Sequence, residues 1–151
     1  METLARAEEI VTSFEKQVLA DLPAGATLFD AHTHLGDDID GMVGRPAELL
    51  GMLDRFGFEG AFVFCLDEPD REPAFRAAND RTLVYAAESD GRLLPFVRLD
   101  LEQEPIVEAE RCLDLGARGI KLHPRAQRFS LGDERLGPVF SLAAERDVPI
   151  L

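Results

Sequence analysis

The chain has 151 residues, enough for one domain with a sizeable core, and its 46% hydrophobic and 30% charged residues make a globular, soluble composition. Its 29 acidic residues against 16 basic give a net charge of -13, a field that repels nucleic acid and anionic membrane. No apolar run approaches the ~20 residues of a membrane span.

Two further features point to the cytoplasm as the expected location. The N-terminus is acidic and lacks the apolar stretch of a signal peptide. Cys65 and Cys112 have no framework spacing and fall in apolar stretches, so both are expected to be free core thiols.

Residues 1–20 read as an amphipathic helix, with Leu4, Ala7, Val11, Phe14 and Val18 at alternating spacings of three and four. That stripe covers too few heptads for a coiled-coil seam, so the helix is expected to lie across the outside or bottom of the domain. A first strand follows from Thr27 to Leu35. Pro46 then opens a helix with Leu49, Leu50, Leu53 and Phe56 inward, and Gly57 stops it. The continuous apolar run 60–66 fits a strand buried on both faces.

Residues 73–89 form the next helix, with Phe75, Ala78, Leu83 and Ala86 or Ala87 inward. The third strand is 93–100, where Pro95 has no N–H to donate, so regular pairing is expected to begin at Phe96. Pro105 opens a helix that runs to Leu115 and Gly116, 119–124 is a fourth strand, 138–146 a fourth helix of this series, and 148–151 the start of a fifth strand. This alternation predicts an α/β fold of βα units around a parallel sheet. Residues 1–26 are the leading helix and connection. Residues 27–151 make about four units plus the start of a fifth strand, half of a (β/α)8 TIM-type barrel of typically ~250 residues.

Chemistry concentrates in two i, i+2 pairs. His32 and His34 sit at the C-terminal end of the first strand, where side chains two apart leave from one face and can turn onto one ion. On strict alternation Leu28 and Asp30 share that face, while Phe29, Ala31, Thr33 and Leu35 take the other, and Asp30 lies deeper beneath the histidines. A pair of half-exposed surface histidines is the competing reading. It fits less well beside so many apolar neighbours.

Lys121 and His123 repeat the spacing at the end of the fourth strand, facing away from Ile120 and Leu122. His123 is a candidate third ligand or acid–base group, and Lys121 a substrate clamp or a carbamylated bridge between metals. Otherwise His123 caps the strand end and Lys121 pairs with a loop acid. Arg98 shares a face with Phe96 and Asp100, and would either fork onto a substrate carboxylate or pair with Asp100 or Asp67. Arg125 and Arg128 add local positive charge that favours an anionic substrate, unless they only decorate a solvated loop. No phosphate cradle, nucleophile elbow or nucleotide fingerprint is present.

The segment from Phe29 through His32, His34 and Leu35, the strand from Gly119 through Lys121 and His123 to Pro124, and the run 148–151 together resemble the N-terminal half of the amidohydrolase superfamily, in the branch labelled amidohydrolase type 2. The resemblance implies a distorted (β/α)8 barrel in which His32 and His34 bind a divalent metal, zinc in the first place and manganese as the alternative. It places a further histidine on the fifth strand, just past an apolar run like 148–151, and an aspartate base on the eighth. The chain is therefore expected to be a fragment, inactive alone, of a hydrolase for a small anionic ester, amide or lactone.

A decarboxylase of the same branch is the alternative, as is a non-catalytic truncated module. A phosphoesterase of the PHP type would need more than the three histidines present. The expected partner is a small-molecule substrate, with no nucleic acid or membrane, and self-association through open strand edges is anticipated.

Overall fold

The computed structural model describes residues 2–151. In chain order the elements are α1 (Glu2–Asp21), β1 (Leu28–Asp37), β2 (Val43–Gly44), α2 (Pro46–Phe56), β3 (Phe58–Cys65), α3 (Arg76–Ala87), β4 (Leu93–Arg98), α4 (Pro105–Asp114), β5 (Gly119–Lys121) and α5 (Leu136–Glu145). One five-stranded sheet has the order β2-β1-β3-β4-β5. Its strands β1, β3, β4 and β5 run parallel, each followed by a helix. That is the partial (β/α)8 architecture the alternation predicts.

The helices cover one face of the sheet. Leu53 of α2 and Ala86 of α3 pack with Leu35, Ala61, Val63 and Leu93. Ala109 and Cys112 of α4 join Leu136, Val139 and Leu142 of α5 on Val97 and Ile120. Pro46 starts α2 where its missing N–H costs nothing, and Gly57 ends it at φ 70, a left-handed value suited to glycine.

The structure corrects the sequence reading at four places. The stripe of α1 does not lie on the domain: Leu4, Val11, Phe14 and Val18 are exposed, Phe14 by 67%. The helix-side face of the sheet is already covered by α2 to α5. Met1, the first residue of the expected helix, lies outside the described residues. The helix expected from Pro73 begins at Arg76, because Ala74 and Phe75 take positive φ values of 57 and 59. Phe75, Ala78 and Ala86 are buried as expected and Leu83 packs partly buried against the α4–α5 core, while the polar Asn79 and Thr82 join the buried face unanticipated.

Pro95 is paired inside β4, opposite Val63, and pairing starts at Leu93. Its carbonyl accepts from Arg118 N–H at 2.7 Å, just ahead of the first β4–β5 pair at Phe96 and Gly119. The proline nitrogen thus faces a stretch with no partner strand, and the lost donor is not needed. The expected start of a fifth strand is present: Ile150 bridges Ile120 in parallel, Ile120 N–H donates to Pro149 O at 3.0 Å, Leu151 N–H to Ile120 O at 2.9 Å and Leu122 N–H to Leu151 O at 3.0 Å. Finally, the acidic loop after β1 contains an unanticipated antiparallel strand, β2, pairing Gly44 with Gly36. No helix among the described residues is long and apolar enough to cross a membrane.

Candidate functional site

The two histidines reach one face by a route that strict alternation does not contain. Between Asp30, paired with Ala61, and Thr33, paired with Val63, β1 advances three residues while β3 advances two. This bulge is closed by Asp30, whose carboxylate oxygen accepts the His32 backbone N–H at 2.9 Å. Thr33 and Leu35 keep their expected side: Thr33 donates its hydroxyl to Phe62 O at 2.7 Å, and Leu35 is in the helix-side core.

Upstream of the bulge the parity inverts. Phe29 meets Phe62 edge-on at 4.8 Å on the histidine face. Asp30 pairs with Ala61 of the helix-side core, so the expectation that it lies beneath the histidines is corrected.

Phe64 is the centre of the cluster. The His32 and His34 rings stand edge-on to it at 5.0 and 4.5 Å, and the two imidazole centroids are 5.2 Å apart. Lys121 Nζ lies 4.5 Å from the centroid of the same ring. Strand register explains the convergence. His34 pairs with Phe64, Val63 with Pro95 and Arg98 with Lys121, which puts His34, Phe64, Phe96, Arg98 and Lys121 on one face of the parallel sheet. Gly119, opposite Phe96, leaves room for the Phe96 ring: a β-carbon there would lie 2.6 Å from Phe96 Cζ.

Arg98 takes neither of the ion pairs considered for it. Asp67 pairs with Arg71 at 3.1 Å. The Arg98 guanidinium stacks 4.7 Å from the Phe75 centroid, one terminal nitrogen donates to Cys65 O at 3.3 Å, and its buried Nε has no partner. Asn79 of α3 grips the Arg98 backbone from both sides, accepting its N–H at 2.9 Å and donating to its carbonyl at 3.0 Å. The same amide donates to buried Glu108 at 2.9 Å, which Arg111 neutralises.

His123 lies past the end of β5, exposed, where its Nδ1 accepts the Ala126 N–H at 3.1 Å and its own N–H is held by the Gln127 side chain. Its capping part is thus seen directly. Arg125 is exposed on the following turn.

The local field is positive in this acidic protein. Burial pulls His34 down to about 4, helped by His32, Lys121, Arg98 and His123. Burial and the charge of Lys121 also lower His32, against the pull of Asp30. Burial and Arg98 lower Lys121. Both imidazoles are therefore neutral at pH 7, the form that ligates metal. The adjacent pair fits part of a metal site. Among the described residues no group of three or more His, Cys, Asp and Glu side chains could hold an ion.

Phe64 and Asn79 did not stand out in the sequence. The i, i+2 spacing of Phe62 and Phe64, the same as that of the two chemical pairs, is the signal that would have found Phe64. A single asparagine within a helix gives no such signal.

The family model described as Amidohydrolase matches residues 29–151. No curated protein matches. Among solved structures, 2,6-dihydroxybenzoate decarboxylase from Rhizobium is similar at 22% identity and a TM-score of 0.63, covering 82% of this chain and 48% of the other. A probable 2-pyrone-4,6-dicarboxylic acid hydrolase from Acinetobacter baumannii, with citric acid bound, is similar at 12% identity and a TM-score of 0.58, covering 83% of this chain. The chain spans 48% of the length of each, about half. At these identities the likeness shows the fold alone.

Proposed function

Since this chain belongs to the amidohydrolase family across residues 29–151, we propose that it carries part of the active site of a metal-dependent hydrolase for a small anionic ester, amide or lactone. The observation that carries this reading is the neutral imidazole pair, His32 and His34, set 5.2 Å apart at the end of a parallel strand. These two residues would hold a divalent ion, zinc with manganese as the alternative. When bound, the ion would supply Lewis acidity and a water of lowered pKa.

The other roles belong to the chain's own side chains. Lys121 and Arg98 hold positive charge on the same face as the histidines and orient an anionic substrate. Lys121 and His123 are the catalytic candidates, with His123 offering Nε2 for proton transfer once Nδ1 is engaged. Arg125 is a second substrate-binding residue, acting from the exposed turn. Phe62, Phe64 and Phe96 make an apolar floor that keeps water from beneath the histidines. The buried free thiols of Cys65 and Cys112 fit a reducing, cytoplasmic setting. The exposed stripe of α1 favours a homo-oligomer, which sedimentation at micromolar concentration measures.

Decarboxylation is the second reading, favoured by the fold shared with a decarboxylase. Zinc and manganese stoichiometry for the chain and its His32→Ala/His34→Ala variant tests the metal site, and equal metal in both refutes it. Product analysis on esters, lactones and aromatic acids separates the reactions, since released carbon dioxide excludes simple hydrolysis.

A further inference from the structure

Arg98 and Lys121 are partners in the β4–β5 ladder and lie on one face. Arg98 is 6% exposed and Lys121 5%. Two like charges directly across a ladder repel, and burying each costs several kcal/mol unless it is paired. Elsewhere the chain meets this requirement: buried Glu68 has Arg81, and buried Glu108 has Arg111 and Asn79. Arg98 and Lys121 have no carboxylate within ion-pair distance among the described residues, and Arg98 Nε is left without any partner. Each cation rests on an aromatic face, Arg98 on Phe75 and Lys121 on Phe64, which fixes its direction but does not neutralise it.

We propose that Arg98 and Lys121 together form a built seat for one carboxylate of the ligand, with Arg98 Nε and Lys121 Nζ as its two donors. This deepens the proposed function by naming the ligand group held beside the histidines, and it rests on that reading only for calling the ligand a substrate. A carboxylate fits better than a phosphate. The seat offers one planar guanidinium and one ammonium, without the run of backbone N–H groups that cradles phosphate. Asn79, through its two hydrogen bonds to the Arg98 backbone, is the positioning residue of the seat.

The test uses metal-free protein in chelator at constant ionic strength, so that the histidine site does not contribute. Benzoate, benzamide and inorganic phosphate are titrated into the chain and into its Lys121→Met and Arg98→Met variants, with binding followed by calorimetry and melting temperature. Benzoate should bind and raise the melting temperature, and benzamide, of the same shape without charge, should do neither. Each variant should weaken benzoate roughly ten- to hundredfold, the effect of losing one charge-assisted hydrogen bond.

Without ligand, Lys121→Met should be at least as stable as the parent, because it removes a buried unpaired charge. Saturating benzoate should reverse that order. This crossover keeps the test decisive if Arg98→Met does not fold. Equal benzoate affinity in parent and Lys121→Met overturns the proposal, as does tighter binding of phosphate than benzoate. An intact mass showing carbon dioxide bound on Lys121 also overturns it, since the anion would then be covalent. Benzoate binding that survives His32→Ala/His34→Ala supports the seat even if the metal reading fails.

Discussion

Replacing Asn79 by alanine should cost the fold more than any surface change and loosen the site with it. The side chain is 1% exposed and makes three hydrogen bonds of 2.9–3.0 Å, two to the Arg98 backbone and one to Glu108. Alanine leaves the Arg98 N–H and carbonyl buried at the end of β4 without these partners, at about 1–3 kcal/mol each. Glu108 loses one donor but keeps Arg111. A loss of roughly 3–5 kcal/mol follows, a large share of the ~5–15 kcal/mol that holds a domain together. At about 2–4 °C per kcal/mol for a chain of this size, the melting temperature should fall by roughly 6–20 °C. Urea denaturation with a common slope measures this directly. A loss below about 1 kcal/mol at unchanged slope refutes the claim that α3 anchors β4 through this amide. Asn79→Asp should not rescue, because it loses the donor to the Arg98 carbonyl and sets a second carboxylate against Glu108.

Three further outcomes are expected. Gly119→Ala should lose about 1–3 kcal/mol, the usual cost of overpacking, because the new methyl meets the Phe96 ring and Phe96 is only 2% exposed; a neutral result in chemical denaturation would show that Phe96 can move. Gly36→Ala should cost more than Gly57→Ala. Both glycines have positive φ, 110 and 70, yet only Gly36 also meets Glu68, with Cδ 2.6 Å from the added carbon, and equal costs would contradict this. In metal-free protein His34 titrates at about 4 rather than its ordinary 6.5, so between those values the unfolded chain binds more protons than the folded one. The histidine's contribution to stability is then complete above pH 6.5 and lost as the pH falls toward 4. NMR titration of the imidazole and denaturation at pH 7 and pH 5 measure it, and His34→Asn should flatten the dependence.

The sequence by itself determined what depends on local chemistry and period. Pro46 and Gly57 bound α2 because one lacks an N–H and the other tolerates a left-handed turn. The apolar run at β3 declared a strand buried on both faces, and alternation set Val97, Ile120 and Leu122 toward the helices, opposite Arg98 and Lys121. His32, His34 and Lys121 were legible as candidates because side chains i and i+2 on a strand ordinarily share a face.

The tertiary structure decided what depends on neighbours far along the chain. A bulge opposite Ala61 and Val63 moved Phe29 onto the histidine face and Asp30 off it, and nothing in a two-residue alternation announces where a strand gains a residue. Pro95 was admitted to β4 because β5 starts one residue too late to need its N–H. Asn79 met Arg98 only once α3 had packed on β4. The ladder alone brought Arg98 beside Lys121, two charges 23 positions apart in the chain whose mutual repulsion exists only after the strands pair.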